Sequence, residues 1–79
     1  MIYTYLLHSK KRDVFYCGIT NDVRRRVKEH NTGGGVEFTK RYGPWSLVYV
    51  KAHDTYIEAR KHEKWLKKKN HDYKNKLVE

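Results

Sequence analysis

The chain has 79 residues, room for one domain with a thin core, so 1–79 is read as a single unit. Eighteen Lys and Arg against nine Asp and Glu leave a formal charge of +9, which disfavours cationic partners. It points instead to an anionic one, nucleic acid first and an anionic membrane surface second.

Cys17 is the single cysteine, which excludes an internal disulfide. The N-terminus lacks a signal-peptide pattern and no apolar run reaches spanning length, so an intracellular, cytoplasmic setting is expected. Seven Tyr, two Trp and two Phe offset the modest apolar content, because each buries a large area.

In chain order, Ile2–His8 is rich in β-formers and predicts a first strand. Ser9–Asp13 is a polar turn, and Val14–Thr20 predicts a second strand; so short a connection makes the pair an antiparallel hairpin. Asn21 or Asp22 caps a helix to about His30, with Val23 and Val27 as its narrow apolar stripe. Asn31 is expected in a left-handed C-terminal position with Gly33 behind it.

Thr32–Pro44 is a long glycine-rich loop of the kind that usually carries function. Trp45–His53 predicts a third strand, and Thr55-x-x-Glu58 has the pattern of a capping box opening a helix from Tyr56 to about Lys69. Asn70 and His71 are expected to break it before a short helical turn over Asp72–Val78. The expected class is α/β (α+β): a small three-stranded antiparallel sheet flanked by helices, in the order β-β-α-β-α with a short C-terminal helix.

Three constellations carry chemistry. Tyr5 on the first strand and Tyr16 with Gly18 on the second share a face if the hairpin register allows, and Gly18 leaves backbone open to close approach. Ordinary strand aromatics explain the same pattern. On the first helix, Arg26 and His30 are four apart and each follows a valine by three, so both flank the buried stripe. A guanidinium there suits a phosphate, and an imidazole can share a proton near neutral pH; Arg24 and Arg25 fit a solvated face.

On the second helix, Ala59, His62, Glu63 and Leu66 form one stripe, which puts a carboxylate among core residues. Either Lys67, four residues on, pairs with Glu63, or a metal does.

These residues, in this order, resemble the GIY-YIG nuclease domain over nearly the whole chain. Tyr3-Thr4-Tyr5 is a loose version of the first motif and Tyr16-Cys17-Gly18 of the second. The stretch from Gly18 to Asn31, then Thr39–Trp45 and Glu58–Glu63, continue the likeness to small stand-alone members.

The resemblance implies a metal-dependent endonuclease acting on nucleic acid, with DNA favoured over RNA. It implies Tyr5 as general base or orienter of the attacking water, Tyr16 at the reacting phosphate and Arg26 on the developing charge. It further implies His30 as partner of the catalytic tyrosine and Glu63 as ligand of one Mg²⁺ or Mn²⁺. Asn70 loosely matches a distal asparagine of some members.

Lys40, Arg41, Lys64 and Lys67 are expected to contact the nucleic-acid backbone without reading sequence. A monomer with no membrane role is expected. The alternatives are a non-catalytic nucleic-acid-binding module on the same scaffold and, last, a membrane-surface or protein-interaction domain.

Overall fold

Four consecutive residues of the first strand, Thr4, Tyr5, Leu6 and Leu7, are each 0–1% exposed. A strand buried on both faces must lie in the middle of its sheet with both faces covered, and that is the arrangement found. The computed structural model describes residues 1–32 and 42–78, with elements β1 (Ile2–Ser9), β2 (Val14–Thr20), α1 (Val23–Asn31), β3 (Ser46–His53), α2 (Tyr56–Lys67) and α3 (His71–Leu77). The sheet is three-stranded and antiparallel, as the sequence predicts, and its strands lie in the order β2-β1-β3.

Strand alternation sorts the core into two clusters. Tyr5 and Leu7 point to one face, where Trp45 and Val27 of α1 pack with them. Leu6 and Cys17 point to the other, where they meet Leu66 of α2 and, behind it, Leu77 and Val78. Cys17 therefore acts as a small buried hydrophobe. The β1–β2 turn closes through Asp13, whose φ of 52° is left-handed and whose N–H donates to Ser9 O at 2.7 Å.

Several boundaries differ from the sequence reading for identifiable reasons. Asp22, not Asn21, caps α1 by accepting from Arg25 N. Asn31 is not a left-handed cap: it ends the helix proper, and Thr32 caps it at φ −104°. The Asn31 amide is used elsewhere, donating to Trp45 O at 3.0 Å and accepting from Trp45 N at 2.7 Å. With both backbone groups taken, Trp45 stands outside the ladder and β3 starts at Ser46.

α2 stops at Lys67 instead of Lys69, and Asn70 caps α3 by accepting from Tyr73 N at 2.9 Å. The helix break at Asn70 is thus a second helix start, which gives that asparagine a structural duty. Thr55 caps α2 through Glu58 N as the capping pattern predicts.

Candidate active site

The site begins with the hairpin register. Tyr5 pairs with Gly18 and Leu7 with Tyr16, so the two tyrosines are diagonal neighbours on one face, with ring centroids 6.5 Å apart. A Cβ built on Gly18 would stand 2.5 Å from the Tyr5 hydroxyl oxygen. The open backbone that the sequence suggests for a ligand is filled by the Tyr5 ring.

α1 brings the next two groups onto the same face. His30, 1% exposed, places Nε2 2.9 Å from Tyr5 Oη, and its ring meets that of Tyr16 edge-on at 5.0 Å. Arg26, one turn earlier, lies beside the Tyr5 phenol and is part-exposed, with Nη1 3.2 Å from Glu29 Oε1. Tyr5, Tyr16, Arg26 and His30 therefore come together. Their burial is unequal: Tyr5 and His30 are closed off, whereas Tyr16 and Arg26 keep solvent contact.

Burial dominates the electrostatics. It pushes the Tyr5 phenol up to about 12, against the smaller opposing pull of the Arg26 guanidinium. Burial also lowers His30, and the Arg26 charge lowers it further, while Glu29 acts the other way. Near neutral pH the pair is an uncharged phenol bonded to an uncharged imidazole, beside one fixed cation.

Glu63 enters from the other side of the sheet. Its helix, α2, packs on the Leu6–Cys17 face, and Glu63 O accepts a long contact from Cys17 Sγ at 3.9 Å. The edge strand β2 thus lies between Glu63 and the tyrosine face. The Glu63 side chain is 12% exposed and its carboxylate is 3.4 Å from Lys67 Nζ, the lysine partner that the helix spacing allowed. Lys64 is exposed on the same helix. Lys40 and Arg41 lie outside the described residues.

Two residues that the sequence reading passed over shape this site. Glu29 pairs with Arg26, and its i,i+3 spacing was the available signal. Trp45, 3% exposed, packs edge-on to Tyr16 at 6.4 Å and is held there by Asn31. No local pattern announces a contact between residues 14 positions apart.

A three-stranded sheet carrying two tyrosines on adjacent strands and an arginine–histidine helix against them makes this a small α/β domain. The model of the GIY-YIG catalytic domain, a nuclease fold, matches residues 1–77, and the chain belongs to that family. It is 36% identical to the UPF0213 protein CPE1444 of Clostridium perfringens, covering 99% of this chain and 83% of that one. It is also 36% identical to the UPF0213 protein VPA1222 of Vibrio parahaemolyticus, over 95% and 70%. The solution NMR structure of the UPF0213 protein BH0048 from Bacillus halodurans superposes with a TM-score of 0.59 at 37% identity, over 99% of this chain and 83% of that one.

Nucleases of this family generally use a divalent metal. Among the described residues no group of three or more His, Cys, Asp or Glu is placed to hold a metal ion. A hydrated hard cation needs less, since Mg²⁺ keeps several waters and can rest on one carboxylate. Glu63 fits that role: a mostly buried hard-oxygen donor whose present partner is a cation on an exposed stem. Among the described residues no helix is long and apolar enough to cross a membrane.

Proposed function

We propose that the chain is an endonuclease that hydrolyses phosphodiester bonds in nucleic acid, DNA being favoured. The observation that carries this reading is the convergence of two phenols, an imidazole and a guanidinium under the first hairpin, with Tyr5 Oη and His30 Nε2 2.9 Å apart. Tyr16 and Arg26, the solvent-facing members, meet the phosphate. Arg26 supplies fixed positive charge where the transition state gains negative charge; loss of one such donor typically costs about 10²–10³ in rate.

Tyr5 and His30 hold the proton behind them. An unperturbed tyrosine titrates near 10 and is a poor base at neutral pH, and burial makes Tyr5 poorer still. His30 offsets this: its uncharged imidazole, with Nε2 2.9 Å from Tyr5 Oη, takes the Tyr5 proton as the phenol accepts one from the attacking water.

A Mg²⁺ or Mn²⁺ held by Glu63 would supply charge neutralisation and leaving-group stabilisation. Because Glu63 and Tyr16 flank opposite faces of β2, the reading requires the substrate strand to lie across that edge of the sheet.

The placement of Glu63 favours a second reading, a nucleic-acid-binding module without catalysis, in which the Glu63–Lys67 pair is only a helix-surface bridge. The deciding experiment incubates the purified chain with structured and single-stranded DNA and RNA, with Mg²⁺, with Mn²⁺ and with chelator. The nuclease reading expects cleavage that chelator abolishes and that Arg26→Ala removes. Salt-sensitive binding with no cleavage of any substrate would leave the binding module.

A further inference from the structure

The chain has two tryptophans, and they are used differently. Trp45 is 3% exposed, whereas Trp65 on α2 is 40% exposed and belongs to neither apolar cluster. Trp65 is nevertheless braced. The His62 ring stacks against it, with centroids 5.2 Å apart and planes 23° from parallel, and His62 Nε2 lies 3.0 Å from Tyr49 Oη of β3. Tyr73 of α3 stands edge-on to the indole at 5.7 Å and 88°. Lys69 Nζ sits 5.1 Å from the Trp65 centroid and 5.3 Å from that of Tyr73.

We propose that this aromatic corner binds an unpaired base of a nucleic-acid strand, with Trp65 as stacking plane and Lys69 moving to a flanking phosphate. The proposal deepens the nucleic-acid reading above and takes the polymer's identity from it. An exposed indole held at fixed tilt by two neighbours loses little freedom on stacking. Every base has a π-face, so such a plane accepts any of them, and a surrounding cationic surface tracks the backbone. Here that surface is Lys61, Lys64 and Lys68, all exposed on or next to the same helix.

The bases of an intact duplex are already stacked on one another, so the ligand is a single strand, a flap or an unpaired loop. Membrane insertion would want bulky apolar neighbours, but the ring's neighbours are His62, Tyr73 and Lys69. The corner lies on the α2 face of the sheet, away from Tyr5 and Tyr16, and so positions the strand without taking part in the chemistry.

The test uses the full chain with chelator present, so that cleavage plays no part. A short single-stranded oligothymidylate, an abasic strand of equal phosphate count, a duplex of equal length and anionic phospholipid vesicles are titrated in. Binding is read by anisotropy or co-sedimentation and by tryptophan emission, to which the buried Trp45 should respond little.

The base-bearing strand is expected to bind roughly 5- to 150-fold tighter than the abasic one and to quench emission. Trp65→Ala erases that preference, Trp65→Phe keeps part of it, and Lys69→Gln weakens both strands alike while leaving the ratio. Equal affinity for base-bearing and abasic strands overturns the proposal, as does an unchanged preference in folded Trp65→Ala or an emission response to vesicles alone. Metal-dependent cleavage with no base preference would sink only the corner; base preference without cleavage would sink only the nuclease.

Discussion

Tyr5 lies across Gly18 so closely that one added methyl on the glycine would stand 2.5 Å from the phenolic oxygen. The glycine of the second motif is therefore the space that the tyrosine of the first motif occupies. Gly18→Ala must push the ring away from its 2.9 Å contact with His30. Overpacking of this kind typically costs about 1–3 kcal/mol. The expected outcome is a lowered unfolding midpoint with cleavage falling much further than stability. Wild-type cleavage by Gly18→Ala would show that Tyr5's position is not needed.

The Tyr5–His30 pair sets a pH window for stability. The phenol's folded value is raised from 10.0 to about 12, so its contribution is whole below pH 10 and is lost between about pH 10 and 12. That interval corresponds to roughly 3 kcal/mol at most. His30 runs the other way in pH. Its folded value is lowered from 6.5, chiefly by burial, so the unfolded chain binds more protons and stability falls as pH drops through and below 6.5. Denaturant unfolding of wild type and Tyr5→Phe across pH measures both. The difference between them should shrink above pH 10, while the acidic decline should persist in Tyr5→Phe and become shallower in a folded variant lacking His30, the remainder belonging to His62, which burial also lowers, and at lower pH to Asp13, which its His8 hydrogen bond lowers.

Much of this was legible in the sequence because it is local. Strand alternation announced the two faces of β1, and the three- and four-residue spacings on α1 put Arg26 and His30 beside the buried stripe. The stripe on α2 put Glu63 toward the sheet. What the spacing could not carry was which side of the sheet each helix covers. That is decided by packing of Val27 against one cluster and Leu66 against the other, and it sets Glu63 across β2 from the tyrosines. Nor could spacing tell that Asn31 would spend its amide on Trp45, or that Asn70 would start a helix where it had been read as ending one.

Asn31 gives a test of how far that long-range contact matters. Its side chain satisfies both the N–H and the C=O of Trp45, and Trp45 in turn packs against Tyr16. Asn31→Ala should cost about 1–3 kcal/mol for the backbone groups left unpaired. The emission of Trp45, read in a Trp65→Phe background, should shift to the red as water enters. Asn31→Asp keeps the acceptor for Trp45 N and loses only the donor, so it should fall between. If Asn31→Ala leaves both stability and emission unchanged, the clamp does not hold Trp45.

Lys67 separates the two readings of Glu63. The lysine side chain is 56% exposed, and the pair is an i,i+4 bridge on one helix. Such a bridge contributes only about 0.3–0.5 kcal/mol, so Lys67→Ala should barely move stability. If Glu63 serves a hydrated Mg²⁺, the ammonium at 3.4 Å competes with that ion for the carboxylate. Removing it should lower the Mg²⁺ concentration for half-maximal cleavage, even as overall binding to nucleic acid weakens slightly with the lost charge. Glu63→Gln keeps the shape and removes the anion, and should abolish cleavage at every Mg²⁺ concentration while the unfolding midpoint stays near wild type. Cleavage by both variants with an unchanged Mg²⁺ requirement would mean that the carboxylate answers only to its lysine, and the metal would have to be held elsewhere.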